Sequence, residues 1–327
     1  MKPIPREPPV TSAVLPWMEK RSFIPDIEAQ RRTVPSSRGM CALSGTGHLV
    51  DIGDTQLHVV ERGAGDPLLV LHGGPGLDHH EFADYLDPLA DRHRLVLVDQ
   101  RAQGRSPACD PATWTLERMA ADVVALARAL ELPRYAVLGH SFGAFVALQW
   151  AVDFPAEPGP AIVSSGLPSS RYLARVEENL RAFEPVELRD RVAASWAREQ
   201  DVRTPEDVGA LLHDQMPFHF ADPLDPRIVD FERRSEGAVY SAEVLRHFSR
   251  EGYGGIEVED RLGQVRRPVL VLAGRHDRTC VVEGAVAMAD GIPGATLVVF
   301  EHSGHMTYVE EPERYLEVVR SFLAGSR

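Results

Sequence analysis

Leu138-Gly139-His140-Ser141-Phe142-Gly143 is the stretch that decides how this chain folds, because it joins two different kinds of sequence. Residues 135–137 before it are apolar and typical of a buried strand, and residues 144–151 after it are mostly good helix formers. Glycines two places before and two after a serine fit a sharp strand-to-helix turn, where a Cβ would crowd the backbone. Such a turn exposes the serine hydroxyl at the carboxyl edge of a sheet. A plain turn can use the same residues, so the rest of the chain must decide whether Ser141 is a nucleophile.

Composition narrows the class of protein. The chain has 327 residues, of which 44% are hydrophobic and 25% charged, as in ordinary globular proteins. Its formal net charge of −13 would repel phosphate backbones, so we expect no nucleic-acid partner. The three cysteines, Cys41, Cys109 and Cys280, are far apart and form neither a disulfide framework nor a metal-ligand pattern. We find no membrane-length apolar run and no secretory signal, and we therefore expect a cytoplasmic protein without membrane contact.

Strands and helices alternate along most of the chain. Runs typical of strands cover residues 48–52, 56–60, 67–71, 94–98, 135–138, 161–165, 268–273 and 295–300. The first two runs predict a hairpin. Helices are predicted over residues 78–90, 115–130, 144–151, from 282 onward, and 311–323, with Thr113 able to cap the second. The alternation predicts an α/β fold with a mostly parallel, eight-stranded sheet and helices on both faces.

Changes in composition divide the chain into four regions. Residues 1–45 are rich in proline and arginine and are interpreted as an irregular N-terminal extension. Residues 46–166 form the first part of the α/β core. Residues 167–256 contain charged helical stretches and many prolines, and we expect an inserted helical cap there. Residues 257–327 resume the alternation and complete the core.

Three side chains at strand ends suggest nucleophilic catalysis. Ser141, Asp277 and His305 follow the order nucleophile, acid and base, and each comes after a predicted strand. A serine hydroxyl needs a base, histidine titrates near neutrality, and a carboxylate orients the imidazole. His302 is an alternative base. We prefer His305 because Gly304 before it gives the loop freedom to bring the ring over the serine.

An oxyanion formed at Ser141 needs two backbone donors. Phe142 N–H, directly after the serine, is one candidate. Gly74 N–H, in the loop that follows the strand at 67–71, is the second. Asp277 has a simpler alternative role, since an aspartate there could merely begin a turn. The three triad candidates and the loop of Gly74 each follow a predicted strand, and this agreement favours the catalytic interpretation of Asp277.

These motifs resemble those of the α/β-hydrolase superfamily, and specifically of the proline iminopeptidase group. The group's most distinctive motif is present as His72-Gly73-Gly74-Pro75-Gly76. Its second motif is matched by Asp99-Gln100-Arg101-x-x-Gly104-x-Ser106, except that Ala102 replaces the usual glycine. Gly274-x-x-Asp277 and Gly304-His305 match the acid and base positions. The resemblance covers about residues 47–165 and 262–325, and it implies an α/β-hydrolase fold with a serine-hydrolase triad.

The nucleophile motif departs from the group's pattern. Proline iminopeptidases usually carry Gly-Gly-Ser-Trp-Gly, whereas residues 139–143 have His140 before and Phe142 after the serine. The observed form is that of many esterases and of some broader aminopeptidases in the same group. The cap, which sets specificity in the group, shows no stretch that we can match. Hydrolase chemistry is implied, and the substrate is left open.

A serine aminopeptidase that releases N-terminal residues from small peptides, with proline preferred, is the activity that the resemblance implies. Such an enzyme must hold the substrate's α-ammonium with carboxylates, because an unpaired buried charge is costly. The group uses cap glutamates for this. The candidates are Glu177, Glu178, Glu232, Glu236 and Glu243. Each could instead belong to a solvated helix face.

Two other functions stay open. A carboxylesterase or lactonase for a small acyl substrate would use the same triad without an ammonium site. Phe218, within Met216-Pro217-Phe218-His219-Phe220, would then line an acyl pocket, unless it belongs to the core of the cap. A non-catalytic binding protein would be expected to have lost a triad residue, and none is missing. We expect a small molecule or a short peptide as substrate and no metal or cofactor, and the sequence predicts no oligomeric state.

Overall fold

An eight-stranded sheet forms the centre of the computed structural model, which describes residues 45, 47–250 and 252–326. The strands are β1 (Gly47–Asp51), β2 (Gln56–Arg62), β3 (Asp66–Leu71), β4 (His93–Val98), β5 (Ala136–His140), β6 (Ala161–Ser164), β7 (Val269–Gly274) and β8 (Thr296–Phe300). Their order is β1-β2-β4-β3-β5-β6-β7-β8. The predicted hairpin β1–β2 and the β2–β4 pair are antiparallel, and the other neighbours are parallel. The predicted mostly parallel sheet is confirmed. The predicted extension over residues 1–45 lies outside the described residues, apart from residue 45.

Ten helices surround or follow this sheet in the described part of the chain. They are α1 (Leu116–Ala129), α2 (Phe142–Asp153), α3 (Ala174–Arg181), α4 (Val186–Arg198), α5 (Pro205–His219), α6 (Arg227–Arg234), α7 (Ala242–Arg250), α8 (Val282–Gly291), α9 (Thr307–Glu310) and α10 (Pro312–Gly325). None of the helices in the described ranges has both the length and the apolarity needed to cross a bilayer.

The central strands are buried on both faces of the sheet, and alternate residues of each strand point to opposite faces. Leu69 and Leu71 of β3 belong to an apolar cluster with residues of α1, α2 and α8. Leu68 and Val70 belong to a second cluster, which includes residues of α10. Helices therefore cover the sheet on both sides, and the carboxyl ends of the parallel strands form one edge, where ligands bind in such folds.

Five helices, α3–α7, come between β6 and β7 in the chain. They have small apolar clusters of their own, one including Phe183 and Phe218 and another including Val208 and Leu245. The two ends of this segment meet at an isolated bridge between Ser169 and Glu257, where Ser169 Oγ donates to Glu257 Oε2 at 2.8 Å. This topology supports the interpretation of residues 167–256 as a cap, whose boundaries stay a prediction.

Residues 78–90 are not the single helix that we predicted. They contain two 3₁₀ turns, His79–Phe82 and Asp87–Asp91. Ala83 ends the first turn with a φ of 42°, in the left-handed region, where a right-handed helix cannot continue. Asp78 caps the first turn, since its Oδ1 accepts the N–H of His80 at 3.0 Å.

The residue that caps α1 also differs from the prediction. Thr115 is the cap, since its Oγ1 accepts the N–H of Arg118 at 3.2 Å. Thr113 Oγ1 instead donates to Asp110 O at 2.7 Å, within the preceding 3₁₀ turn. The cap of α1 therefore lies two residues after the position that we considered, and the helix begins at Leu116.

Arg101, in the second sequence motif, is buried between two acidic side chains. Its Nε and Nη2 donate to the two carboxylate oxygens of Asp122 at 2.7 and 2.6 Å. Its Nη1 and Nη2 also donate to Asp54 at 3.0 and 3.1 Å. Asp122 is buried as well, so this bidentate pair connects the loop after β4 to α1 inside the protein.

Replacing Arg101 by methionine removes the bidentate partner of the buried Asp122 carboxylate and leaves only Arg118 Nε, at 3.4 Å, as a nearby cation. We expect the free energy of unfolding to fall by about 3–5 kcal/mol. Arg128→Met is the matched control, because Arg128 pairs with Glu157 at the surface and its side chain is 75% exposed. That change should cost less than about 1 kcal/mol. Urea unfolding measures both values, and equal losses would show that the buried pair has no special role.

Candidate active site

Ser141 occupies the sharp turn between β5 and α2 that the sequence predicts. Its φ of 54° and ψ of −118° are strained for a residue with a side chain, at a cost on the order of 1–3 kcal/mol. Its N–H donates to Ser164 O at 2.9 Å. A Cβ on Gly139 would collide with the Gly143 carbonyl, and a Cβ on Gly143 would collide with the Leu71 carbonyl. Both glycines are therefore required by the close approach of α2 to the sheet.

His305 is paired with Asp277, and the distance from Nδ1 to Oδ2 is 2.8 Å. The two residues come from the loops after β8 and β7. The second carboxylate oxygen of Asp277 accepts the N–H groups of Thr279 and Cys280, each at 2.9 Å. With Nδ1 engaged by the carboxylate, Nε2 is left for the cavity that Ser141 also lines. The predicted acid and base are thus in contact.

Burial and charge act in opposite directions on the pKa values of this pair. Burial disfavours the imidazolium, but Asp277, with smaller contributions from Glu81 and Glu310, outweighs it and raises the pKa of His305 above its usual value. Burial also disfavours the carboxylate, but His305 and the donated hydrogen bonds hold the pKa of Asp277 below its usual value. The pair therefore stabilises an imidazolium at this position. His302, the alternative base, is exposed at the surface.

Two imidazoles that the sequence analysis did not assign to the site flank the ring of His305. The ring centroids of His140 and His219 lie 4.9 and 5.0 Å from it. Burial, reinforced by the charge of His305, holds the pKa of His140 well below its usual value and lowers the pKa of His219 to about 3. Both rings are therefore neutral at pH 7 and do not oppose protonation of His305. His219 ends α5, so a cap helix forms one wall of the site.

The two predicted oxyanion donors, Gly74 and Phe142, line the same cavity as Ser141. Phe142 is the first residue of α2, so its N–H has no acceptor within the helix. The N–H of Gly74 has no acceptor within residues 47–250 or 252–326. Gly74 has a φ of 109°, a conformation that a residue with a side chain rarely adopts. Two unpaired N–H groups are thus available beside the serine.

The loop that carries Gly74 is held by the loop that follows β4. Gln100 N–H donates to His72 Nε2 at 3.1 Å, and Gln100 Nε2 donates to His72 O at 2.7 Å. The N–H of Gly76 donates to Gln103 Oε1 at 2.6 Å. The two motifs noted in the sequence, at 72–76 and at 99–106, are therefore two halves of one hydrogen-bonded unit.

Asp99 supports the same unit from the core. Its carboxylate accepts hydrogen bonds from Nδ1 of His58 at 3.0 Å and of His79 at 2.6 Å. His58, His79 and Asp99 stand close enough to share a metal ion, and so do Asp78, His79 and His80. In both groups, however, Nδ1 atoms already hydrogen-bond to carboxylates. We interpret both groups as supports of the glycine loop.

A cavity of about 480 Å³ lies between this catalytic group and the cap helices. Its size is in the usual range for small-ligand pockets. Ser141, His305 and Gly74 form one end of it. Most of the remaining wall is apolar and comes from the cap: Leu173, Val176, Leu180, Leu211, Met216 and Leu245.

Two of the five predicted cap glutamates line the cavity. Glu177 does so while pairing with Arg181 at 2.5 Å, and its side chain is largely exposed. Glu232 does so while its Oε1 lies 2.7 Å from Nδ1 of His213. Both carboxylates therefore already have a partner.

The other predicted cap residues do not line the cavity, which corrects those assignments. Glu178 and Glu243 are exposed on α3 and α7, and Glu236 is exposed in the turn after α6, as charged residues of a solvated face normally are. Phe218 is buried and packs with Phe183 at a centroid distance of 5.2 Å. It belongs to the core of the cap rather than to an acyl pocket.

Two buried glutamates that the sequence analysis missed do line the cavity. Glu199 follows α4 and accepts hydrogen bonds from Gln215 Nε2 at 2.8 Å and from the Tyr253 hydroxyl. Glu81, in the first 3₁₀ turn, accepts the N–H of Gly73 at 2.5 Å. Burial raises the pKa of each carboxyl group to about 7. Nothing in the local sequence distinguishes them from the surface glutamates, because only the tertiary structure buries them.

Comparisons with known sequences agree with this geometry. Residues 66–312 match the family described as the alpha/beta hydrolase fold. A proline iminopeptidase of Lactobacillus crispatus is 30% identical over 275 residues, which cover 81% of this chain and 92% of the relative. A proline iminopeptidase of Lactiplantibacillus plantarum is 31% identical over 268 residues, which cover 79% of this chain and 92% of the relative.

Solved structures give the same assignment. An alpha/beta fold family hydrolase of Bacillus anthracis superposes with a TM-score of 0.72 at 23% identity, over 85% of this chain and 99% of that one. The proline iminopeptidase of Mycobacterium smegmatis superposes with a TM-score of 0.67 at 27% identity, over 86% of this chain and 98% of that one. This chain is accordingly a serine hydrolase that belongs to the α/β hydrolase family, within its proline iminopeptidase-like group.

Proposed function

We propose that this enzyme releases N-terminal residues, with proline preferred, from short peptides through an acyl-enzyme on Ser141. The observation that carries the proposal is the contact of 2.8 Å between His305 and Asp277, at the end of a cavity that Ser141 also lines. Relatives named proline iminopeptidase, at 30–31% identity over about four fifths of the chain, support the peptidase assignment.

In the proposed acylation step, Ser141 Oγ attacks the carbonyl carbon of the N-terminal residue while His305 Nε2 accepts its proton. Asp277 keeps the imidazole oriented and stabilises its positive charge. The N–H groups of Gly74 and Phe142 hydrogen-bond to the oxyanion. The C–N bond then breaks, and His305 returns the proton to the leaving amine. Water repeats the sequence with His305 as base, which releases the N-terminal residue and regenerates Ser141.

The cavity supports action at a chain terminus. It is about 480 Å³ in volume and is covered by the cap, so it suits a small residue better than the middle of a peptide. Its apolar wall suits a pyrrolidine ring. Four glutamates that line it, Glu81, Glu177, Glu199 and Glu232, provide negative charge for a free α-ammonium.

A carboxylesterase or lactonase is the second candidate, and the apolar cap wall favours it. Such an enzyme would use the same three residues and would hold an acyl chain against the residues of α3 and α5. It would gain nothing from a free amine in the substrate. Dependence of the rate on that amine therefore separates the two candidates.

N-Acetylation of a prolyl-arylamide substrate removes the ammonium charge and leaves the scissile bond in place. We expect kcat/KM to fall by roughly 30-fold to several thousand-fold, which corresponds to the loss of about 2–5 kcal/mol of charge-assisted contact. Steady-state kinetics on the free and blocked substrates measures this ratio. Equal rates on both, with faster turnover of aryl esters, would establish the esterase alternative instead.

His305→Ala should remove nearly all turnover, because the serine then has no base. His302→Ala is the matched control from the same loop, and it should keep most of the activity, since His302 is exposed and away from the cavity. Labelling by a fluorophosphonate probe should be confined to Ser141 and should disappear in Ser141→Ala. The opposite result for the two histidine variants would transfer the role of base to His302.

The pH dependence of kcat/KM should report the raised pKa of His305. The base must be neutral, so the rate falls as the pH drops through a value above the ordinary 6.5. Asp277→Asn removes the carboxylate that raises the pKa of His305 most, and burial, which lowers that pKa, is then opposed only by Glu81 and Glu310. The fall of kcat/KM on the acidic side should therefore occur at lower pH in this variant, and kcat should be reduced on the order of 10⁴-fold. If the acidic side of the pH profile is the same in Asp277→Asn as in the wild type, a group other than His305 controls it.

A further inference from the structure

Glu81 is a buried carboxyl group that the catalytic steps above do not use. It lies in the 3₁₀ turn His79–Phe82 and is 8% exposed. The turn is fixed at both ends: the N–H of His79 donates to Asp99 Oδ1 at 3.0 Å, and the Tyr308 hydroxyl donates to Glu81 O at 3.3 Å. The position of the carboxyl group is thus set by the fold rather than by solvent.

One oxygen of this carboxyl group is open to the cavity. Oε2 accepts the N–H of Gly73 at 2.5 Å, whereas Oε1 has no hydrogen-bond partner in the described part of the chain. A Cβ built on Gly73 would lie 2.7 Å from Glu81 Oε1 and 3.1 Å from Ser141 Cβ. Glu81 and Ser141 therefore flank the same point, and both line the cavity.

A carboxylate in this place needs a cation. It stands next to the glycine loop whose N–H groups receive the oxyanion, and a second negative charge there would oppose catalysis. The imidazolium of His305 lowers the pKa of Glu81, but His305 is neutral when it begins to act as a base and then gives no such compensation. Burial alone already disfavours its charged form and raises the pKa of Glu81 to about 7. A positively charged group of the substrate, bound to Oε1, would satisfy both the carboxylate and the adjacent oxyanion.

The substrate of an aminopeptidase carries such a charge in the required place. Its α-nitrogen is two bonds from the carbonyl carbon that Ser141 attacks, so the ammonium must bind beside the serine. The cap glutamates that line the cavity are less available. Both oxygens of Glu199 accept protein hydrogen bonds, from Gln215 and Tyr253, and Glu232 is bonded to His213.

We propose that Glu81, from the turn after the glycine loop, binds the substrate's α-ammonium through Oε1 and so selects substrates with a free N-terminus. This inference rests on the proposed aminopeptidase function and assigns its ammonium site to the core rather than to the cap. A primary or secondary ammonium on the carbon next to the carbonyl is the chemical class that this site accepts.

A pair of esters with the same aryl leaving group tests the assignment. One carries a prolyl group, and the other carries a cyclopentanecarbonyl group, which keeps the ring and lacks the nitrogen. The wild-type enzyme should prefer the prolyl ester. In Glu81→Gln, which keeps an acceptor for the Gly73 N–H, the ratio of the two kcat/KM values should fall by roughly 30-fold or more. Glu81→Asp, which retains the charge on a shorter side chain, should recover part of the preference for the prolyl ester.

Glu178→Gln is the matched control, because Glu178 is exposed on α3, pairs with Arg175 and does not line the cavity. Its ester preference should equal that of the wild type. Glu199→Gln and Glu232→Gln test in the same way whether a cap glutamate binds the ammonium. Circular dichroism and the thermal midpoint establish that each variant is folded before the ratios are compared.

Three results would overturn the inference. If Glu81→Gln keeps the prolyl preference and Glu199→Gln or Glu232→Gln loses it, the ammonium site lies in the cap and the proposed function stands. If Glu81→Gln lowers kcat/KM equally for both esters, Glu81 acts on the catalytic groups rather than on the ammonium. If the wild-type enzyme shows no preference for the prolyl ester, the aminopeptidase function itself fails, and this site fails with it.

Discussion

The backbone of Ser141 is the constraint on which the rest of the site depends. A left-handed φ at this residue is possible because Gly139 and Gly143 let α2 approach the sheet until its backbone meets the carbonyl of Leu71. Nearly every residue of α2 is buried, so the helix cannot withdraw to relieve the strain without opening the core. The same approach brings the free N–H of Phe142 to the serine. The positions of the Ser141 hydroxyl and of the Phe142 N–H, the proposed nucleophile and oxyanion donor, therefore have a single physical cause.

The cap and the catalytic loops are held together by hydrogen bonds as well as by packing. The N–H of His305 donates to His219 O at 2.7 Å, at the end of α5. The two carboxyl oxygens of Glu310 accept the N–H groups of Gly304 and Ala221, each at 2.8 Å. The segment at 167–256 thus helps to position His305, and changes there should also affect the orientation of this ring.

The arrangement of loops explains why two distant motifs occur together. The glycine loop at 72–76 has few side chains with which to fix itself, and glycine adds backbone freedom that must be removed on folding. Gln100 and Gln103 of the second motif supply the missing hydrogen bonds, and Asp99 anchors the turn through His79. Arg101 then connects the second loop to α1. The second motif therefore fixes the shape of the glycine loop that carries the proposed oxyanion donor Gly74.

The sequence predicted the features that depend on local pattern. The eight strands, the turn at Ser141 and the choice of loops for Asp277 and His305 follow from alternation and from glycine spacing. The helix predicted over 78–90 is wrong, because the backbone of Ala83 interrupts it. The carboxyl groups of the cavity could not be chosen from the sequence. Glu178 and Glu81 have the same side chain, and only tertiary packing exposes the first and buries the second.

The measurement that tests the account most directly is the trapping of the covalent intermediate. A prolyl aryl ester is mixed with the enzyme, and the reaction is quenched in acid during the first turnover, when an acyl-enzyme should accumulate. If Ser141 is the nucleophile, the mass of the intact protein increases by one prolyl group. Peptide mapping should locate this group on Ser141, and Ser141→Ala should show no increase. Turnover of the ester without any adduct, or an adduct on a residue other than Ser141, would contradict it.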